Sequence, residues 1–512
     1  MNDASTTPRI LIVTPEVTYL PDRMGTLSSL LTAKAGGLAD VSAALVGSLF
    51  RQGADVHVAL PNYRAIFRDQ LAPFLEREQR TILQKMPDNR VHLAEDRAFF
   101  YLNRVYSNYA TENTKLALAF QREVINNIVP WVRPDLIHCN DWMTGLIPAM
   151  ARQMEIPCLS TIHNIHTVKS SLALIEDRGI DAAYFWHHLY YEQMATEYEL
   201  VRDHNPVDFL VSGVFAAHFV NTVSGNFLRE IVEGVHDFVA PPLRWELTQK
   251  WNAGCAFGIL NAPDPSFSPQ HDPCLATVYG PENHPTGKRD NKIQLQKILG
   301  LMADPAAPIF LWPSRLDPIQ KGCQLLADIF YEVVSRYWHE GLQIVFVADG
   351  DFQGHFRDMV RFHQFQQRVA VCDFSEHMEH LAYAGADFVL MPSRFEPCGL
   401  PQMIGPIYGA LPVCHDTGGI HDTIIHLNIE AHTGNGFLFE TYDSGGLLWA
   451  MGEAMNFFGR PPAVKFHEIE RIMRQSAEQF NHDVCARRYI DLYEKMLHRP
   501  LIQRNLMGEE QS

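Results

Sequence analysis

The chain has 512 residues, 46% of them hydrophobic, and a formal net charge of −17. This length predicts two or more domains with full cores, and the acidic charge argues against a nucleic acid as a partner. The sequence lacks the roughly 18 consecutive apolar residues of a membrane span, and its start lacks the basic and apolar segments of a signal peptide. Nine scattered cysteines predict thiols in a reducing compartment. We therefore expect a cytoplasmic protein without a membrane partner.

Apolar runs alternate with helical stretches through the first half of the chain. Arg9–Val13 predicts a buried strand, and Leu38–Gln52 predicts an amphipathic helix. Further strands are predicted at Asp55–Leu60, Asp135–Cys139, Pro157–Ile162 and Phe219–Val223. Because strands that alternate with helices form parallel sheets, this half predicts an α/β domain.

A turn with a cation and two glycines stands before the first predicted helix, at residues Lys34-Ala35-Gly36-Gly37. Backbone N–H groups at a helix N-terminus favour negative charge, and glycine lets an anion come close to them. The turn therefore predicts an anion site. The pattern is short, and an ordinary surface turn is the alternative.

The second half repeats the alternation of strands and helices. Trp251–Asn261 predicts the linker and opening strand of a second domain. Asp272–Arg289, which is rich in Pro, Gly and His, predicts a surface loop before a helix at Asn291–Leu299. Further strands are predicted at Pro308–Pro313, Leu342–Ala348, Val369–Cys372, Asp387–Met391 and Ala410–Cys414. The whole chain is thus predicted to form two α/β domains that divide near residue 250.

Residues 392–423 carry the most informative motif of the chain. Glu396 follows a predicted strand, at the carboxyl end where ligands of open α/β sheets bind. Gly399-Leu400 opens a helix, and Thr417-Gly418-Gly419 forms a second turn whose backbone can approach an anion. One carboxylate and two such turns predict a ligand with a phosphate end and a hydroxyl-rich end.

These motifs together resemble the bacterial glycogen synthases and plant starch synthases, a family of retaining glycosyltransferases of the GT5 type. The resemblance extends from KAGGLADV at residues 34–41 through SRFEPCGL at residues 393–400 to GNGFLF at residues 434–439. It implies the GT-B fold, in which two Rossmann-like domains face each other across a cleft. Residues 1–250 would form the acceptor-side domain, residues 251–480 the nucleotide-sugar domain, and residues 481–512 a helix that crosses back to the first domain.

The resemblance also implies roles for the residues that match the family's motifs. Glu396 would be the main catalytic carboxylate, His163 would contact the transferred glucose, and Asp141 would lie on the acceptor or sugar side. Arg315 and Lys321 would neutralise the departing diphosphate, because fixed cations stabilise the charge that develops there. The donor would also contact Glu16, Lys34, Gly36, Gly37, Asn164, Asn261, Phe374, Gly399, Leu400, Thr417, Gly418 and Gly419. In that set Lys34 would bind phosphate, and Phe374 would stack on the nucleobase.

The chain departs from the family pattern at several positions. Residues 17–33 form an insert immediately before Lys34, and Asn140 and Met143 replace two histidines of the family. Asp349-Gly350-Asp351 looks like a cation-binding pattern, but the family has a turn there and uses no metal. We therefore expect neither a metal nor another cofactor.

The implied reaction transfers glucose from ADP-glucose, or from UDP-glucose, to the non-reducing end of an α-1,4-glucan with retention of configuration. An alternative keeps this donor but uses a small-molecule or oligosaccharide acceptor, which the insert and the altered residues Asn140 and Met143 favour. A third reading is a non-catalytic glucan or nucleotide-sugar binder. The expected partners are a nucleotide-sugar donor and an α-glucan.

Overall fold

The computed structural model describes residues 7–25, 28–67, 90–107 and 109–502. The chain divides into two compact units. The N-terminal unit consists of Met1–Val223, Leu228–Leu260 and His482–Ser512, and the C-terminal unit consists of Ser224–Phe227 and Asn261–Asn481. None of the helices in the described residues combines the length and apolar character that a membrane span needs.

A parallel sheet forms the centre of the N-terminal unit. Its strands are β1 Arg9–Val13, β2 Asp55–Pro61, β3 Val91–Ala94, β4 Leu136–Asn140 and β5 Cys158–Ile162, followed after a short antiparallel pair, β6 Lys169–Ser170 and β7 Val207–Asp208, by β8 Phe219–Thr222 and β9 Ala256–Gly258. The seven strands of the main sheet lie in the order β3-β2-β1-β4-β5-β8-β9. The order reverses between β1 and β4, and such a switch point is where open α/β sheets bind ligands.

Helices connect these strands, as parallel pairing requires. Those between residues 37 and 252 are α1 Gly37–Arg51, α2 Arg97–Phe100, α3 Ala110–Glu123, α4 Val129–Val132, α5 Ile147–Ala151, α6 Leu172–Asp177, α7 Tyr198–Val201, α8 Phe209–Ala216, α9 Gly225–Glu233 and α10 Pro241–Asn252. The C-terminal helix His482–Leu497 also belongs to the N-terminal unit. Its Asp483 Oδ1 accepts a hydrogen bond of 2.6 Å from Ser48 Oγ on α1, and Tyr493 Oη lies 2.7 Å from His138 Nδ1 on β4.

The C-terminal unit is built on a second parallel sheet. Its strands are β10 Ile309–Trp312, β11 Gln343–Val347, β12 Val369–Cys372, β13 Phe388–Met391, β14 Leu411–His415 and β15 Phe437–Phe439. They lie in the order β12-β11-β10-β13-β14-β15, so the switch point falls between β10 and β13. The helices are α11 His284–Leu299, α12 Cys323–Arg336, α13 Gln353–Phe362, α14 Glu376–Gly385, α15 Pro401–Ile407, α16 Gly418–Thr423, α17 Ser444–Phe458 and α18 Pro462–Gln479.

The prediction of two parallel α/β domains is confirmed, but two local predictions are wrong. Trp251–Asn261 was expected to open the second domain, whereas β9 pairs with β8 at the edge of the first sheet. Asp272–Arg289 was expected to be a surface loop, whereas Asp272 is buried and α11 begins at His284. Pro285 lies in the first turn of α11, where a missing N–H costs nothing, so a proline does not exclude a helix there.

Candidate active site

The predicted site residues of the N-terminal unit lie at the carboxyl ends of neighbouring strands. Asp141 directly follows β4, His163 directly follows β5, and Glu16 lies shortly after β1. Because β1, β4 and β5 are adjacent and parallel, their carboxyl ends meet at one edge of the sheet. The structure therefore brings these three side chains to the switch point of their own sheet.

Glu16 occupies the turn that the sequence predicts to bind an anion. Its Oε2 accepts hydrogen bonds from the backbone N–H groups of Ala35 at 2.6 Å and Gly36 at 2.9 Å. Its Oε1 accepts a hydrogen bond of 3.2 Å from the Tyr106 hydroxyl. Burial raises the pKa of Glu16, which is almost inaccessible to solvent. A carboxylate of the chain therefore already binds two amides of the turn that the sequence predicts to bind an anion.

Lys34 and Gly37 leave room for a ligand beside that carboxylate. Lys34 Nζ lies 3.0 Å from Asp40 Oδ1, and its side chain is partly exposed. A Cβ atom added to Gly36 or Gly37 would meet no protein atom within 4 Å. Packing within the protein therefore does not demand glycine at either position, as expected where a ligand approaches the backbone.

Asp141 is held by the backbone of the loop that follows β5. Its Oδ1 accepts hydrogen bonds from the N–H groups of His163 at 2.7 Å and Asn164 at 3.4 Å. Its own backbone has φ of +56°, a region that non-glycine residues seldom adopt and that recurs at functional sites. Burial raises the pKa of Asp141 to about 7, and the nearby Glu16 carboxylate acts in the same direction. A carboxyl group in this range can exchange a proton near neutral pH.

His163 is a neutral imidazole fixed by a residue outside the predicted site. Its Nε2 lies 2.9 Å from Asn140 Oδ1. Burial lowers the pKa of His163 to about 4, so the ring carries no charge at neutral pH. Asn140 replaces a histidine of the family, and this difference is the sequence feature that could have identified its role. No comparable signal identifies Tyr106, the hydroxyl partner of Glu16.

Glu396 and Lys321 form a buried ion pair at the switch point of the C-terminal sheet. Glu396 follows β13, Lys321 follows β10, and Lys321 Nζ lies 2.5 Å from Glu396 Oε2. The same Oε2 accepts a hydrogen bond of 3.2 Å from Ser393 Oγ, another residue that sequence reasoning missed. A buried carboxylate needs such partners to offset the loss of water.

The glycines after β14 pack directly against the Glu396 loop. A Cβ atom at Gly418, where φ is +47°, would lie 2.0 Å from Glu396 O, and one at Gly419 would lie 2.1 Å from Cys398 O. The Gly419 N–H donates a hydrogen bond of 2.8 Å to Glu396 O. The Gly419 amide, which the sequence predicts to bind phosphate, is therefore already bonded to the Glu396 loop in this structure. These two glycines shape the loop that presents Glu396.

The remaining predicted residues occupy separate positions in the C-terminal unit. Arg315 is exposed just beyond β10, and Phe374 is 47% exposed just beyond β12. Gly399-Leu400 precedes α15, and Thr417 caps α16. Asn261 begins the longer of the two segments of the unit, and its buried Oδ1 has no hydrogen-bond partner among the described residues.

Two clusters of residues in the C-terminal unit contain the types of side chain that bind cations. Asp349 of the Asp-Gly-Asp pattern accepts a hydrogen bond of 3.0 Å from the Phe374 N–H through Oδ1. Asp272, Cys274 and His380 bring ligand-type atoms within 4.8 Å of one another. The Asp272 Oδ2 atom of this second group already lies 2.7 Å from His380 Nδ1. A cation would have to displace that contact.

Comparison with known proteins gives consistent results in both units. The starch synthase catalytic domain family matches residues 9–239, and the glycosyl transferases group 1 family matches residues 307–456. A glycogen synthase of Syntrophotalea carbinolica is 31% identical over 494 residues, covering 90% of this chain and 96% of the relative. A glycogen synthase of Clostridium botulinum is 32% identical over 461 residues, covering 83% of this chain and 89% of the relative.

Among solved structures, the catalytic domain of starch synthase IV from Arabidopsis thaliana, bound to ADP and acarbose, superposes with a TM-score of 0.76. It is 22% identical and covers 96% of this chain and 100% of that chain. The two parallel α/β units and the two family matches together place the chain among the glycosyltransferases of the GT-B class. Identity and coverage together then show the family: the chain belongs to the glycogen and starch synthases.

Proposed function

We propose that the protein is a retaining glucosyltransferase that transfers glucose from ADP-glucose to the non-reducing end of an α-1,4-glucan. Family membership supports the reaction class, and the buried Lys321–Glu396 pair is the observation that carries the proposal. Within the part of the chain that the structure describes, Glu396 Oε1 accepts no hydrogen bond. This oxygen can therefore accept hydrogen bonds from the hydroxyl groups of a sugar.

Charge stabilisation would supply most of the rate acceleration. Breaking a sugar–diphosphate bond moves negative charge onto a phosphate oxygen, and fixed cations lower that barrier. Lys34, Arg315 and Lys321 would stabilise this charge, while Glu396 and the neutral His163 would steady the sugar. Departure of the diphosphate and attack by the acceptor on the same face of the sugar would give retention. No metal ion is needed in this scheme.

A donor screen tests the proposal. Purified protein is incubated with glycogen and labelled ADP-glucose or UDP-glucose, and both nucleotide release and incorporation of label into glucan are measured. We expect ADP-glucose to be the better donor. Glu396→Gln, which keeps the size of the side chain, is the control for background transfer. Absence of labelled glucan with either donor would contradict the proposal. The proposal also includes a cytoplasmic location for the protein.

A small or oligosaccharide acceptor is the second candidate, and the insert at residues 17–33 favours it. Val17 and Ala33 close this loop through backbone hydrogen bonds of 2.9 and 2.8 Å, and Leu20 and Met24 are buried. The described residues of this loop, 17–25 and 28–33, directly follow Glu16 and can narrow the space for an acceptor. Parallel assays with glycogen, maltose and glucose as acceptors separate the two candidates. Binding of ADP-glucose without transfer to any of them would instead indicate a non-catalytic binder.

A further inference from the structure

Asn140 joins strand β1 to the His163 loop through both ends of its side-chain amide. Its Nδ2 donates a hydrogen bond of 3.1 Å to the backbone carbonyl of Val13 on β1. Its Oδ1 lies 2.9 Å from His163 Nε2. The amide is buried at the carboxyl end of β4, directly before Asp141. Neither end can reorient without losing a buried hydrogen bond, which is costly.

The chemistry of these partners fixes which way the amide points. The Val13 carbonyl can only accept, so it requires the NH₂ end of Asn140. The opposite orientation would set two oxygen acceptors against each other. The oxygen end therefore faces His163, and since it can only accept, His163 Nε2 must carry the hydrogen. A neutral imidazole has one N–H group, so Nδ1 of His163 is an acceptor.

We infer that Asn140 is a positioning residue that holds His163 as the Nε2–H tautomer and thereby makes Nδ1 an acceptor for one hydroxyl group of the bound sugar. The inference that a sugar hydroxyl binds Nδ1 rests on the proposed function, whereas the inference about the tautomer does not. Among the described residues, none forms a hydrogen bond with His163 Nδ1. A histidine at position 140, as in the family pattern, can either donate or accept. The NH₂ group of Asn140 is bound to the Val13 carbonyl, so only its oxygen faces His163. This oxygen can only accept a hydrogen bond, and it therefore selects one tautomer.

Burial keeps the ring of His163 neutral. Its backbone N–H donates a hydrogen bond to Asp141, and His138 on β4 is near enough to interact with it electrostatically. Glu16 acts on Asp141 from the end of β1. Burial lowers the pKa of His163 to about 4 and that of His138 to about 3, so neither ring adds charge at neutral pH.

Nitrogen NMR tests the tautomer without any assay of activity. Protein labelled with ¹⁵N-histidine is compared with a His163→Gln variant to assign the two ring nitrogens of His163. We expect a protonated Nε2 and an unprotonated Nδ1 at pH 7, and a tautomer mixture or the reverse tautomer in Asn140→Leu. A protonated Nδ1 in the unaltered protein would overturn the inference.

Donor analogues that lack one hydroxyl group each test the role in binding. With the unaltered protein, loss of the hydroxyl that binds Nδ1 should lower kcat/KM about tenfold. In Asn140→Leu, kcat/KM for the intact donor should fall by a similar factor. Removing that hydroxyl from the donor should then lower the kcat/KM of this variant only slightly. Asn140→His should have a kcat/KM for the intact donor between those of Asn140→Leu and the unaltered protein. A purely structural role would lower kcat/KM for every donor equally, and that result would also overturn the inference. A correct tautomer without turnover of any donor would contradict only the proposed function.

Discussion

Lys321 Nζ lies 2.5 Å from Glu396 Oε2, and the two side chains are only 11% and 7% exposed. Taking two charges out of water is expensive, so each charge is tolerated because the other is present. An ammonium group has further N–H donors after one is bound to a carboxylate. Lys321 can therefore hold Glu396 in place and still donate to a phosphate oxygen. The ion pair therefore links the catalytic carboxylate with a cation that would neutralise the diphosphate, two roles that the sequence assigns to separate residues.

Variants of this pair separate catalysis from stability. Glu396→Gln should lower turnover by about 10²-fold or more, and Glu396→Ala should also destabilise the fold by about 3–5 kcal/mol, because Lys321 is left as a buried unpaired charge. The double variant Lys321→Met/Glu396→Leu should regain much of the lost stability without regaining turnover. Turnover and Tm are measured together for all three. Near-normal turnover in Glu396→Gln would remove Glu396 from the mechanism.

Two glycines of the candidate site should respond to alanine in opposite ways. Gly37 has open space around it, so Gly37→Ala should leave Tm unchanged but raise the KM for the donor. Gly418 has φ of +47° and no room for a Cβ beside Glu396 O, so Gly418→Ala should lower Tm and turnover together. Thermal unfolding and donor KM are compared for the two variants. Equal losses of Tm would show that ligand space does not explain Gly37.

Most of the fold could be predicted because buried parallel strands are short apolar runs between helices. β9 shows the limit of that signal, since an apolar run indicates a strand but not the neighbour with which it pairs. Asp272 shows another limit. Its burial depends on His380 and Tyr408, which lie more than 100 residues away along the chain. Local composition therefore predicts a surface loop there.

The positions of the site residues could be predicted from motifs, whereas their partners could not. Glu396 was predicted from its place after a strand, but its ion pair with Lys321 joins residues 75 positions apart. The Lys-Gly-Gly turn was predicted to bind an anion, but the sequence does not show that Glu16 reaches its amides. Such contacts depend on how loops after different strands meet, and local patterns do not encode that.

Phe374 allows a test of nucleobase stacking with a matched control in the same unit. Phe374 is 47% exposed just beyond β12, and Phe362 is 82% exposed at the end of α13. Stacking of a base on an aromatic ring contributes about 1–3 kcal/mol. Phe374→Ala should therefore raise the donor KM about tenfold with little change in kcat, and Phe374→Tyr should preserve it. Phe362→Ala should change neither constant. Equal effects of both alanine variants would exclude a specific role for Phe374.

Asp141 makes the stability of the N-terminal unit depend on pH. Burial raises its pKa from 3.8 to about 7, so between these values the folded state binds more protons than the unfolded state. The stability that this group contributes is fully present below pH 3.8 and is lost as the pH rises through about 7. Asp141→Asn keeps an oxygen acceptor for the His163 N–H but does not titrate.

The unaltered protein should therefore lose about 2–3 kcal/mol of stability relative to Asp141→Asn between pH 5 and pH 8. Denaturant unfolding of both proteins across this range measures the difference. Asp22→Asn, which removes one exposed carboxylate from the same unit, is the matched control and should not reproduce this change. Parallel stability curves for the unaltered protein and Asp141→Asn would show that Asp141 is ionised throughout. In that case it could not exchange a proton with an acceptor hydroxyl near neutral pH.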